Sequence, residues 1–149
     1  MNFTIDTVIL KLAESPRERL CVQALEFLML VYRGHTISLD SAYGEILKEY
    51  QRNLDGNGVV IQLVVKLVRK ADGVVFGQKS LPQRTMAALA QDSGYDPSDL
   101  KFMKVAYATR GTIVTEDRGP GDFDERVCSI LESHLGISVN DTVTALSSL

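Results

Sequence analysis

Four carboxylates in this chain stand where strands end or helices begin. Asp6 follows the run NFTI, Glu45 lies in the first turns of the helix after TISL, Asp99 lies in the first turn of a later helix, and Asp117 follows TIVT. Ligands of an α/β sheet bind beyond the carboxyl ends of its strands, so we expect these acids to meet there. Clustered carboxylates repel one another unless some are protonated or a cation lies between them. Carboxylate oxygens without His or Cys select hard ions, which predicts Mg²⁺ or Mn²⁺.

Each acid also has a purely structural interpretation. Asp99 can stabilise the start of its helix together with the Asp96 cap, and Asp117 is typical of a turn. Glu45 and Glu49 share a helix face, so the ligand could be either one, or both could be solvated. Asp6 is the hardest to explain in this way, because an acid in an apolar stretch is costly to bury without a partner.

Short β-branched runs alternate with helical patterns along the whole chain. A long amphipathic helix is predicted over Pro16 to Tyr32, and another runs from Pro82 until Ser93 and Gly94 close it. This alternation predicts an α/β fold with three layers (α/β/α) around a mostly parallel central sheet. With 149 residues, of which 45% are apolar, we expect one domain over residues 1–149.

Composition favours a cytoplasmic protein that does not enter a membrane. Cys21 and Cys128 lie within amphipathic patterns, which suggests buried thiols in a reducing compartment. The N-terminus lacks a secretory signal pattern, and no apolar stretch is long enough to span a bilayer.

The net charge of −3 argues against coating of nucleic acid by bulk electrostatics. However, residues 48–84 hold seven basic residues and three acids. This basic middle predicts contacts to a polyanion, and Arg110 and Arg118 are further candidates near the acids. A solvated, lysine-bearing helix face is the alternative. The candidate nucleic-acid contacts are Lys66, Arg69, Lys70, Arg110 and Arg118.

The acidic segments, taken in order, resemble the four motifs of PIN-domain nucleases, a fold shared by many prokaryotic toxin ribonucleases. The matching segments are FTIDTVIL, the acid within SAYGEILKEY, DLKFMKVAYATRG and IVTEDR, and they cover almost the whole chain. The resemblance implies that Asp6, Glu45, Asp99 and Asp117 are the catalytic metal ligands, and that Thr115 is the hydroxyl preceding the last acid. It also implies an endoribonuclease that uses Mg²⁺ or Mn²⁺. An inhibitory, antitoxin-like protein and a second copy of the chain are candidate partners.

Two departures from the family pattern bear on the site. Val8 stands where the family often has Asn, and GPG is inserted before Asp122 and Phe123. Asp122 is therefore an accessory candidate for the metal site. Glu49 is another, because it shares a helix face with Glu45.

Three functions compete. The first is hydrolysis of RNA by two divalent ions ~4 Å apart, which activate water and stabilise the departing oxygen. The second is a catalytically inactive PIN-like binding or assembly module, motivated by the two departures. The third is a phospho-accepting receiver domain, which needs an acid pair after its first strand and a lysine after a late strand; neither is evident.

Overall fold

A computed structural model of the chain describes residues 1–91 and 94–149, and it shows the predicted α/β architecture. Five parallel strands form one sheet in the order β3-β2-β1-β4-β5. The strands are β1 (Asn2–Ile5), β2 (Thr36–Leu39), β3 (Val74–Phe76), β4 (Thr112–Val114) and β5 (Val139–Asn140). Phe3, Thr4 and Ile5 are all buried, so helices cover both faces of the central strand and form the outer layers.

The helices are short. They are α1 (Thr7–Ala13), α2 (Cys21–Gly34), α3 (Glu45–Asn53), α4 (Val59–Arg69), α5 (Gln83–Ala90), α6 (Leu100–Thr109), α7 (Glu125–Leu135) and α8 (Thr142–Ser147), with a 3-10 turn at Pro97–Asp99. Within residues 1–91 and 94–149, no helix combines the length and the apolar character required to cross a membrane.

The carboxyl edge of the sheet is defined by the pairing of β1 with β4. Ile5 is in register with Val114, and the Asp6 N–H donates to the Val114 carbonyl at 2.9 Å. From β1 the chain builds outward through β2 and β3, then returns to add β4 on the other side. The connections therefore diverge between β1 and β4, and in such sheets this switch point is the usual place for a ligand.

Several helix boundaries differ from those predicted from the sequence. The segment after Asp6 forms α1, a helix that the sequence did not predict. The helix predicted from Pro16 begins only at Cys21. The predicted end of α5 at Ser93 lies outside the described residues. Helix α7 begins at Glu125, because the Asp124 carboxylate accepts the Val127 N–H.

The helix α6 begins and ends much as predicted. The Asp96 carboxylate accepts the Ser98 N–H at 2.9 Å, which confirms its role as a cap of the turn before α6. The left-handed residue that ends the helix is Arg110, with φ 56°, one position before the predicted Gly111.

The helix α3 is attached to the end of β1 by a buried hydroxyl. Tyr50 is 2% exposed, and its hydroxyl donates to the Ile5 carbonyl. One residue earlier in α3, Glu49 accepts a hydrogen bond from Thr7, the first residue of α1. These bonds fix the rotation of α3 about its own axis, and so decide which of its acids faces β1.

We expect Tyr50→Phe to destabilise the protein by ~1–2 kcal/mol, because the substitution leaves the buried Ile5 carbonyl without this donor. Urea unfolding followed by circular dichroism measures the change. Tyr43→Phe is the matched control, since Tyr43 is 87% exposed and should unfold with the parent. Equal unfolding midpoints for the two variants would contradict the assigned role of Tyr50.

Candidate metal centre

Thr115 links the ends of β1 and β4 through its side chain. Its hydroxyl donates to Asp6 Oδ2 at 2.6 Å and accepts the N–H of Asp117 at 3.0 Å. Asp6 is 5% exposed and Thr115 is fully buried. The strand register therefore places the first and last predicted acids on either side of one hydroxyl group.

A third acid reaches this edge from the 3-10 turn before α6. Asp99 is 8% exposed, and its Oδ2 atom has no hydrogen-bond partner among the residues that the structure describes. Carboxylate oxygens of Asp96, Asp99 and Asp122 all lie within 4.8 Å of one another. An unpartnered buried carboxylate oxygen is costly, and a bound cation is one way to satisfy it.

The three aspartates fit a hard divalent ion. Octahedral Mg²⁺ at 2.0–2.1 Å from each ligand holds neighbouring oxygens about 3 Å apart and opposite ones about 4 Å apart. The carboxylate oxygens of Asp96, Asp99 and Asp122 lie within 4.8 Å of one another, a spread close to that range. The donor set consists of carboxylates alone, which suits Mg²⁺ or Mn²⁺.

The pKa values of Asp6 and Asp99 are raised by burial and, to a smaller extent, by neighbouring negative charges. Burial raises the pKa of Asp6 from 3.8 to about 6, the Thr115 hydrogen bond opposes this shift, and Asp117 adds to it. Burial also raises the pKa of Asp99 to about 7, with further contributions from Asp6, Asp96, Asp122 and Asp117. Asp6 and Asp99 are therefore harder to ionise, mainly because they are buried and to a smaller extent because other negative charges are near.

Asp117 lies at the exposed rim of the cluster. Partial burial raises its pKa, with Asp122 adding to the shift and Lys11 of α1 opposing it. The inserted GPG segment brings Asp122 here, because the loop closes on itself. Phe123 N–H donates to the Asp117 carbonyl at 3.0 Å, and the Phe123 side chain is fully buried.

The structure brings Glu49, and not Glu45, beside Asp6. Glu49 accepts the Thr7 hydroxyl, and its charge contributes to the raised pKa of Asp6. Its other oxygen pairs with Lys101 Nζ at 2.5 Å. Glu45 is exposed at the first turn of α3, where its N–H donates to Asp40. Of the two acids left open by the sequence, the geometry therefore favours Glu49.

The basic residues of α4 lie away from the acids. Lys70 Nζ donates to the Tyr32 carbonyl near the end of α2, which leads into the amino end of β2. Lys66 lines a shallow surface groove with Met29 and Tyr32, also on α2. Arg69 lines a separate groove with Leu47 of α3. None of the three is among the charges that influence Asp6, Asp99 or Asp117.

The two arginines predicted near the acids differ in position. Arg110 immediately precedes Gly111 and β4, so it lies at the amino edge of the sheet, and its predicted placement beside the acids is wrong. Arg118 is in the acidic loop, where its guanidinium donates to the Val139 carbonyl at 3.2 Å. That hydrogen bond keeps the Arg118 side chain beside β5.

Three residues near the acids were not predicted from the sequence as part of the site. Asp96 was interpreted as a helix cap, although its spacing of three from Asp99 also places both carboxylates on one turn. Lys11 and Lys101 carried no sequence signal, because their positions depend on how α1 and α6 pack.

Comparisons of the chain with protein-family models, with curated proteins and with solved structures found no match in any of the three. Function is therefore inferred from the residues and their geometry.

We expect the metal-free protein to lose stability as pH rises from about 4 to about 8, by roughly 2–4 kcal/mol. The folded pKa values of Asp6 and Asp99, about 6 and about 7, exceed the ordinary value of 3.8. Protonation therefore stabilises the fold at low pH, and this contribution disappears as pH rises through the folded pKa values. Thermal unfolding in a chelator at several pH values measures the slope.

Asp99→Asn should flatten this pH dependence, because the variant cannot ionise at position 99. Glu26→Gln is the control, since Glu26 is an exposed acid on α2 and should leave the slope unchanged. A slope in Asp99→Asn as steep as in the parent would show that Asp99 ionises freely in the fold.

Proposed function

We propose that this protein is a nuclease that requires Mg²⁺ or Mn²⁺ and hydrolyses phosphodiester bonds in RNA. The observation that carries the proposal is the buried, unpartnered Asp99 Oδ2 within a cluster of aspartates at the switch point of a parallel sheet. Hard cations held by carboxylates at such an edge bind phosphate oxygens and supply an activated water.

Each residue has a distinct part in this proposal. Asp99 is the central ligand, because it influences or approaches every other aspartate of the cluster. Asp6 and Asp117 hold ions at the strand ends, and Thr115 positions both. Asp122 and Asp96 complete the donor set at the rim. Lys101 holds Glu49 beside Asp6 and balances one negative charge of the site.

A PIN-type endoribonuclease is the specific form of the proposal. The order of the acidic motifs in the chain and their meeting at one sheet edge support it, with Glu49 as the second acid in place of Glu45. Within this proposal the protein acts in the cytoplasm, and an antitoxin-like partner would inhibit it by covering the aspartates.

The second candidate is an inactive module with the same fold. Val8 supports Asp6 only through its backbone N–H, since its side chain is apolar where the family often has Asn, and Glu49 is already paired with Lys101 at 2.5 Å. A module of this kind would neither cleave RNA nor be stabilised by divalent ions.

Cleavage of a labelled RNA should require Mg²⁺ or Mn²⁺ and stop in a chelator. Asp117→Asn should reduce the rate by at least ~100-fold, because the substitution removes a carboxylate from the ion site while keeping its size. Denaturing gel electrophoresis over time measures the rate. Glu26→Gln should cleave as the parent does.

The same ions should raise the unfolding temperature of the parent more than that of Asp117→Asn, since binding to the folded state alone stabilises by about 2.7 kcal/mol at 100 times Kd. Absence of both cleavage and metal-induced stabilisation would reject the nuclease and favour the module. Stabilisation without cleavage would retain the ion site and reject RNA hydrolysis.

A further inference from the structure

Glu49 uses both of its carboxylate oxygens within the protein. Its Oε1 atom accepts the Thr7 hydroxyl, and its Oε2 atom lies 2.5 Å from the ammonium nitrogen of Lys101. Glu49 is also one of the charges that raise the pKa of Asp6. The acid that lies beside Asp6 is therefore already in contact with a full positive charge.

The Lys101 ammonium is held from several sides. Besides its contact with Glu49, it donates to the Ser98 carbonyl, and its Nζ atom lies 4.9 Å from the centroid of the Phe102 ring. Only 15% of the Lys101 side chain is exposed. The ammonium thus bridges α3 and the turn that carries Asp99.

A metal ion that binds Glu49 Oε2 has to displace this ammonium. Separating a largely buried ion pair is costly, because each charge loses its partner. The displaced ammonium would also remain tethered nearby on α6, where it repels the incoming ion. The position next to Glu49 is therefore unfavourable for a divalent ion as long as Lys101 is present.

The acids that lack such a cation are grouped around Asp99. In the part of the chain that the structure describes, one group of acids brings its oxygens within 4.8 Å of one another, and it consists of Asp96, Asp99 and Asp122. Asp6 and Asp117 act on the same centre, since their charges contribute to the raised pKa of Asp99. A single ion bound to the unpartnered Asp99 Oδ2 would therefore relieve the repulsion among all five aspartates.

Two lysines supply the charge that a second divalent ion would bring. Lys101 contacts Glu49, and Lys11 of α1 is close enough to Asp117 to oppose the rise in the pKa of that acid. Together the two ammonium groups carry the charge of one divalent ion. Because they belong to the chain, they lose no translational freedom when they take up these places.

We propose that the metal centre takes one divalent ion, beside Asp99, and that the Lys101 ammonium occupies the place of a second ion next to Glu49. This inference rests on the proposed function. It replaces the two ions ~4 Å apart that the sequence suggested with one ion and a fixed ammonium. Lys101 is then a positioning residue, which holds Glu49 and, through Ser98, the turn that carries Asp99.

The number of bound ions tests the proposal directly. Mn²⁺ is titrated into the metal-free parent protein at a protein concentration well above Kd, and electron paramagnetic resonance measures the Mn²⁺ that stays free in solution. We expect one Mn²⁺ per chain and no magnetic coupling between bound ions. Two Mn²⁺ per chain, or the coupled spectrum of ions ~4 Å apart, would overturn the proposal.

Lys101→Met should raise the count from one Mn²⁺ to two, because Glu49 Oε2 loses its cation and becomes a ligand beside Asp6. Lys101→Arg keeps a positive charge there and should still bind one ion. Combining Lys101→Met with Glu49→Gln should return the count to one, because the new ligand is removed. A count of one in Lys101→Met alone would overturn the role of Lys101.

Lys104→Met is the matched control. Lys104 lies one turn after Lys101 on α6, is also half-buried, and has no acid within 4.0 Å among residues 1–91 and 94–149. This variant should bind one Mn²⁺, and a count of two would contradict the proposal, because the loss of any nearby positive charge would then suffice. Circular dichroism checks that each variant is folded. The count in the parent protein decides the proposal even where a variant fails to fold.

Failure of the inference and failure of the nuclease give different results. Two Mn²⁺ per chain together with metal-dependent cleavage of RNA would retain the nuclease and reject the role of Lys101. One Mn²⁺ in the parent and two in Lys101→Met, without cleavage by the parent, would retain the role of Lys101 and reject RNA hydrolysis. No bound Mn²⁺ would reject both.

Discussion

The hydrogen bonds of the Thr115 hydroxyl hold together the part of the fold on which the candidate site depends. This one group joins Asp6, at the end of β1, to the backbone of Asp117, beyond the end of β4. Its position follows from the register of the two strands, because Ile5 pairs with Val114. Opposing this bond is the cost of burying carboxylates beside one another, which raises the pKa values of Asp6 and Asp99. The edge is therefore ordered by the sheet but electrostatically unfavourable without a cation.

Packing of the elements around this edge offsets the cost of burying the carboxylates beside one another. Tyr50 fixes α3 against β1, and the buried ring of Phe123 anchors the acidic loop in the hydrophobic core. Both anchors lie one residue from an acid of the site, Glu49 in the first case and Asp122 in the second. Apolar burial thus supplies the energy that positions side chains whose own interactions are repulsive, as is common at functional sites.

The sequence was sufficient to predict the fold class, because short strands and helices alternate along the chain. It did not predict which carboxylates lie within 4.8 Å of one another: these are Asp96, Asp99 and Asp122, whereas the predicted Asp6 and Asp117 contribute to the raised pKa of Asp99 without belonging to that group. The sequence did not distinguish Glu45 from Glu49 as the acid beside Asp6, because the two are four residues apart on one helix face. In the structure the burial of Tyr50 sets the rotation of α3, and this rotation brings Glu49 beside Asp6. Charge counted along the chain likewise did not show where each cation lies in the fold. Lys70, which follows α4, donates to the Tyr32 carbonyl near the end of α2, whereas Lys48 of the same basic segment lies on α3 beside Glu49. Positions that depend on long-range packing are not encoded in local patterns.

Fixed cations lower the repulsion among the acids without removing it. The Lys101 ammonium lies 2.5 Å from Glu49 and so offsets one negative charge beside Asp6. On the opposite side, Lys11 of α1 opposes the rise in the pKa of Asp117. Asp99 has no such cation among the groups that shift its pKa, because the charges acting on it are all negative. The buried centre of the cluster is therefore the place where a bound divalent ion would relieve the most repulsion.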